Sequence, residues 1–194
     1  MFEKIKKYYK SLAPALKEDD LQALDKKLTI QHLHKGDYLV REGEICRNVS
    51  FINSGLLRLF SIEDGKEICK GFVGENDYIS EYTSFLTQQA ALENLEALED
   101  CEVVNLSYIN MQSLYKSNPV FEQFGRKIAE KLFIVLSTHN NSLLALTPEE
   151  RYMIILNTQP DIIQRVPQYM IASYVGVSPE HLSRIRKKLS QKTS

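Results

Sequence analysis

Residues 168–188 read QYMIASYVGVSPEHLSRIRKK. Apolar side chains fall at Ile171, Val175, Val177, Leu182 and Ile185, with small Ala172 and Gly176 between them. This spacing predicts two short helices joined by a tight turn, the second ending in a basic run. The two helices must approach closely, which small Ala172 allows. The chain must reverse, and Gly176 tolerates the positive φ that a reversal needs. Three or four apolar side chains must then seal the angle. A helix-turn-helix of this kind serves chiefly to place its second helix in a DNA major groove.

Ser178 is the predicted N-cap of that second helix. Pro179 is its first residue, and Glu180 lies in the first turn, where the helix dipole favours negative charge. At 100° per residue, Leu182, Ile185 and Leu189 share one side and face a core. Glu180, Ser183, Arg184 and Lys187 point the other way and are candidates for base edges or adjacent phosphates, with Ser178 and His181 beside them. Arg184 is the natural guanine reader, since arginine bridges O6 and N7; a glutamate such as Glu180 accepts from cytosine N4. Arg186, Lys187 and Lys188 are assigned to phosphates, which give affinity without sequence information. Taken alone, those three would read instead as a solvated helix end favoured by the dipole; taken with the helix-turn-helix pattern before them, the phosphate reading is preferred.

Outward from this stretch, charge divides the chain. Its 194 residues carry a net charge of −1. From Thr147 to Ser194 there are 7 Lys/Arg against 4 Asp/Glu, and residues 1–146 hold 17 against 21. An acidic body with a basic end fits a protein that touches nucleic acid at one end only. No run of about 18 apolar residues suggests a membrane span, and MFEKIKKYYKSLAPAL (1–16) lacks the apolar stretch of a secretory signal. The expected location is therefore the cytoplasm, with no membrane partner. Cys46, Cys69 and Cys101 are odd in number and widely spaced, unlike a disulfide framework or a metal cluster, and no metal site is expected.

Leu21, Leu24 and Leu28 predict a short amphipathic helix over 18–28. The period then changes. Turn signals recur every eight to twelve residues from 29 to 107, with β-type runs at 38–40, 49–52, 56–62, 67–73 and 101–106. Asp64-Gly65 between two such runs predicts a hairpin. Many short strands at this spacing mean a sandwich or barrel. Asn118-Pro119 caps and opens a long helix running to about Leu146. Its apolar stripe, with Phe121, Phe124, Ile128, Leu132 and Val135, is the expected dimer seam, and His139 the expected polar layer that sets its register. The competing reading is a helix packed against its own domain. Thr147-Pro148-Glu149-Glu150 forms a capping box that starts another helix. Pro160 is then expected to break the chain, and 162–166 to act as a link.

With these residues in view, the chain resembles the CRP/FNR-type transcription regulators over nearly its whole length. The resemblance rests on the turns at 36–44, the strand FINSGLLRL (51–59), Ile79-Ser80-Glu81, the Asn118-Pro119 helix and, most specifically, VPQYMIASYVGVSPEHLSRIRKKL (166–189). It implies an α+β fold: an N-terminal antiparallel β-roll of the cyclic-nucleotide-binding type (1–117), a central dimerisation helix (118–146) and a C-terminal helix-turn-helix domain (147–194). The chain ends soon after Leu189, so little or no β-hairpin wing is expected. The implied partners are double-stranded DNA and a second copy of the chain, with RNA polymerase a further candidate.

In cyclic-AMP-binding members, Gly-Glu opens the phosphate cassette and an Arg about ten residues on neutralises the phosphate. Here the pair is Ser80-Glu81, and the Arg position falls in Gln89-Ala90-Ala91-Leu92-Glu93, which has no cation. The candidate effector pocket is Ser80, Glu81, Tyr82 and Ala91, with cyclic AMP not expected and no cofactor assigned. A phosphate at Glu93 would be an unneutralised charge. The iron–sulfur branch uses N-terminal cysteines, and none precedes Cys46. His32 and His34 are expected on an exposed strand face rather than as haem ligands. In the second helix Pro179 stands where family members often carry Arg, so one contact of the usual site is missing. No nucleophile–base pair or phosphate loop suggests an enzyme. The alternative to a DNA regulator is a ligand-sensing module that acts through protein contacts.

Overall fold

The computed structural model describes residues 2–192. Helix α1 (Glu3–Leu12) buries Ile5 and Tyr9, and α2 (Glu18–Asp25) buries Leu21 and Leu24. The helix expected to reach Leu28 stops earlier. Leu28 opens a strand opposite Leu106, since Thr29 and Ile30 carry the β-branched chains that favour an extended backbone.

Among the described residues, eight strands form two four-stranded antiparallel sheets. In one the order is β1 (Leu28–Leu33), β8 (Cys101–Ser107), β3 (Asn48–Ser54), β6 (Tyr78–Ile79). In the other it is β2 (Tyr38–Val40), β7 (Asn94–Ala97), β4 (Leu57–Glu63), β5 (Lys66–Val73). Phe51, Ile52, Leu57, Leu95, Val103 and Val104 are wholly buried in this part of the core. The β4–β5 hairpin turns at Asp64 (φ 51°) and Gly65 (φ 73°). Two successive positive φ values are what a two-residue turn needs to match the twist of its strands. Strands β6 and β7 and helices α3 (Tyr82–Thr87) and α4 (Tyr108–Ser117) were not expected.

Asn118 caps α5 (Pro119–Ala145), accepting from the Val120 N–H at 3.0 Å. The apolar stripe of α5 does not form one continuous outer seam. Phe121, Phe124 and Ile128 are 2, 6 and 6 % exposed, buried within their own chain. Phe124 stacks on Tyr9 at 3.6 Å between ring centroids, and Leu132 is packed against the same core. The dimer contacts expected of these four are therefore corrected: α1 and the β-roll cover this half of the helix, where two phenylalanines find more apolar partners than a helical seam offers. The outer half is different. Phe133, Ile134, Val135, Leu136, Leu143 and Leu144 are all exposed, Leu144 at 88 %.

Thr147 caps α6 (Pro148–Thr158), with the Thr147 N–H donating back to Glu150 at 2.8 Å. Pro160 does not break the chain. It opens α7 (Pro160–Arg165) at the first helical position, where its missing N–H costs nothing. Then come α8 (Gln168–Val175) and α9 (Pro179–Lys192), with Gly176 between them at φ 77°. These four helices do not enclose a core of their own. Tyr152, Ile155, Ile162, Met170, Ile171, Leu182 and Ile185 share one buried cluster with Leu56, Cys69, Phe72 and Leu98 of the β-roll.

Candidate nucleic-acid interface

The inner side of α9 is sealed. Leu182 is wholly buried and Ile185 is 5 % exposed, and Leu189 packs against the same cluster. The His181 N–H donates to Ser178 Oγ at 3.3 Å, as an N-cap serine should accept it. The outer side carries Glu180, His181, Ser183, Arg184 and Lys187, all exposed. The Glu180 carboxyl is held below its usual range by the Ser178 hydroxyl, with Arg184 adding a smaller pull. Two expected phosphate ligands are less free. Arg186 is half-buried, and Lys188 Nζ pairs with Glu149 Oε2 of α6 at 2.5 Å. A phosphate would have to compete for Lys188.

Three of the contacts that hold this surface in place were not visible in the sequence. β5 is an edge strand, so its outward N–H groups need cover. Ser173 of α8 supplies it: the Cys69 N–H donates to Ser173 Oγ at 2.9 Å, and Ser173 Oγ donates to the Glu67 carbonyl at 3.3 Å. Tyr174 lies against Phe72, centroids 5.6 Å apart. The Cys69 thiol, buried at this junction, is pushed up to about 12 by loss of solvent.

Arg165 of α7 is the second contact. It spans two loops of the β-roll, with Glu75 at 2.9 Å and Glu99 at 2.6 and 2.9 Å. The guanidinium pulls the Glu75 carboxyl down to about 2. The third contact joins α5 to α8. His139 stacks on Tyr174 with centroids 4.4 Å apart and rings 16° from parallel. This corrects its expected place in a dimer layer, because the ring is spent on its own chain. Burial, then the charge of Arg151, holds the His139 imidazole below its usual range.

The four residues expected to line an effector pocket each make other contacts in the structure. Glu81 is buried and caps α3, accepting from the Ser84 N–H at 2.6 Å. Loss of solvent raises its carboxyl above the usual range, and Glu93 adds to the rise. Ser80 Oγ donates to the Asn48 carbonyl at 3.1 Å. Ala91 is buried, its N–H bonded to the Glu44 carbonyl. Tyr82 instead lines a small cavity of about 30 Å³ under α5 with Tyr9, Tyr78 and Phe85. The sequence also missed a cation beside Glu93: Lys70 Nζ of β5 pairs with Glu93 Oε1 at 2.8 Å. His32 and His34 are exposed, near Glu102 and Asp100. The three cysteines are buried free thiols. Among the described residues no cluster of three His, Cys, Asp or Glu could hold a metal ion. No helix there is long and apolar enough to cross a membrane.

Comparison with known proteins covers both the β-roll and the C-terminal helices. The cyclic nucleotide-binding domain family matches residues 30–118. The cAMP-activated global transcriptional regulator CRP of Salmonella typhimurium is 26% identical over 172 residues, spanning 81% of this chain and 82% of the relative. FixK2 from Bradyrhizobium japonicum has a similar structure, with a TM-score of 0.75 at 16% identity over 86% of each chain. The c-di-GMP responsive global regulator CLP of Xanthomonas campestris superposes with a TM-score of 0.69 at 19% identity, over 91% of this chain and 93% of its own. A β-roll that matches the cyclic nucleotide-binding domain family, a long capped helix and an outward-facing helix-turn-helix give this chain an architecture similar, along most of its length, to that of transcription regulators of the CRP/FNR type.

Proposed function

We propose that the chain acts as a dimer that reads duplex DNA in a sequence-specific way, with residues 1–117 as effector domain, 118–146 as dimerisation helix and 147–194 as reading domain. One observation carries the proposal. The polar side of α9 is turned to solvent while its apolar side is sealed into a rigid core. In this reading Arg184 and Glu180 meet base edges. Ser178, His181 and Ser183 lie beside them, and Arg186, Lys187 and Lys188 meet phosphates, with Lys188 leaving Glu149 to do so. A second copy covers the exposed apolar run from Phe133 to Leu144 on α5. In this reading the seam starts about two and a half turns beyond Phe124, with Val135 the one residue retained from the set expected there. RNA polymerase is proposed as a further partner from the family resemblance alone.

We also propose that cyclic AMP is not the effector. Two features support this. Glu81 already caps α3, and Lys70, the cation beside the cassette, is already neutralised by Glu93. A cyclic phosphate would have to displace that carboxylate and leave it unpaired, which is costly in a shielded site. Calorimetry with cyclic AMP should give no heat at micromolar concentrations; micromolar binding would refute the proposal.

Salt dependence tests the DNA reading. Three or four basic residues per protomer at phosphates give six to eight contacts per dimer. The slope of log K against log salt should then be about −5 to −7, at about 0.9 per contact. A protein acting through protein contacts alone would bind duplex DNA weakly or not at all.

A further inference from the structure

The ends of two helices meet at one side chain. Arg151, in the first turn of α6, donates from Nε to the Val175 carbonyl at 2.7 Å and from Nη1 to the Leu146 carbonyl at 2.6 Å, with the Leu143 carbonyl at 3.4 Å. Val175 is the last residue of α8, and Leu143 and Leu146 close α5. The last carbonyls of a helix have no partner within it and need a donor from elsewhere. A cation there is also favoured by both helix dipoles. The turn into the reading helix lies directly alongside: a Cβ added at Gly176 would sit 3.6 Å from Arg151 Nη2 and 3.5 Å from Leu143 Cδ2. Only a planar fork with several N–H groups can reach carbonyls of both helices at once.

We propose that Arg151 is a positioning residue that fixes the angle between the long helix α5 and the helix-turn-helix, and so sets the separation of the two DNA half-sites that the dimer accepts. The inference rests on the DNA reading above and deepens it. Its leverage is geometric. α9 has 14 residues, which at 1.5 Å per residue makes it about 21 Å long. A tilt of about 15° at its start swings the far end of such a helix through about 5 Å. That is more than the rise of about 3.4 Å between neighbouring base pairs. Without the fork, His139 stacked on Tyr174 still links α5 to α8 at this corner, and a ring stack holds position better than it holds angle.

The test uses full-length protein and duplexes with two copies of the half-site preferred by the wild type, their separation varied one base pair at a time. R151K keeps the charge but cannot span both helices; R151Q removes the charge and keeps a two-hydrogen donor. Losing register costs the contacts of a whole half-site, so the wild type should prefer one separation by about tenfold or more over its neighbours. For both variants we expect that preference to fall to about threefold or less, with affinity for an isolated half-site within about twofold of wild type. Unchanged separation preference in the variants, with only a lower melting temperature, would overturn the inference and leave the DNA reading intact. Loss of folding in both variants would also overturn it, because Arg151 would then serve the stability of the whole chain. A wild type that binds duplexes with no preferred separation would overturn the DNA reading and this inference together.

Discussion

Arg165→Met should loosen the seat of the helix-turn-helix on the β-roll. Methionine keeps most of the aliphatic stem but removes the links to Glu75 and Glu99. All three side chains are about one-third exposed, at 27, 34 and 35 %. Each pair therefore falls between an exposed ion pair, at about 0.2–1 kcal/mol, and a shielded charge-assisted hydrogen bond, at about 1.5–3 kcal/mol. We take about 1 kcal/mol per carboxylate, or about 2 kcal/mol for the clamp. At 1.4 kcal/mol per factor of ten, that is about a thirtyfold rise in the population of the undocked state. The Cys69 amide is the probe, because its N–H reaches across to Ser173 and exchanges when α8 lifts from β5. Its hydrogen exchange should speed up by about thirtyfold, while amides of the β3–β8 ladder stay protected. Acid should act in the same direction. Glu75 has a folded-state carboxyl lowered to about 2 by Arg165, so its contribution is complete above its ordinary range near 4.5 and fades as pH falls from there toward 2. Unchanged Cys69 exchange in a folded Arg165→Met variant would refute this reasoning and leave the shared apolar cluster as the sole fastener.

Arg184→Ala should weaken binding to the preferred sequence by about 1–3 kcal/mol and relax one base position, whereas Lys187→Ala should lower affinity evenly on all sequences; equal loss on random DNA would contradict the role given to Arg184. Gly125→Ala tests the close approach of α5 to α4, because the Tyr115 phenol occupies the space a Cβ would need. Alanine in a helix interior ordinarily gains about 1 kcal/mol over glycine, so a lower melting temperature would mean that the clash outweighs propensity, and a higher one would contradict the packing. Phe133→Asp combined with Leu144→Asp should give folded monomers in sedimentation, since both residues are exposed and carry none of the chain's own core; dimers of unchanged strength would place the interface elsewhere.

Local chemistry made much of this fold legible. Asp64-Gly65, Asn118-Pro119, Thr147 with Glu150, and Ser178 each act on their own neighbours, and each does in the structure what its residue type implies. Periodicity showed which face of α5 is apolar, but it carried no information on what covers that face. Phe121 and Phe124 were given to a partner chain and belong to Tyr9 and the β-roll. Pro160 shows the same ambiguity, since proline both ends and begins helices. The residues that seat the reading unit were illegible for a different reason. Ser173 with Cys69, Arg165 with Glu75, and Lys70 with Glu93 are each made between elements distant in the chain, and a lone serine or arginine in a helix has no pattern that reveals its partner. Ser80, Glu81, Tyr82 and Ala91 group only by analogy of order, which carries no information on the contacts each one makes: Glu81 caps α3 and Tyr82 lines the cavity under α5.

The central claim is that the outward side of α9, presented twice by a symmetric pair, reads base sequence. Selection of bound duplexes from a random pool addresses it directly. The account expects enrichment of a two-fold symmetric sequence with half-sites about one helical turn apart, 10–10.5 base pairs between centres. A pool that returns no shared sequence, or an asymmetric one bound by a single chain, would contradict it.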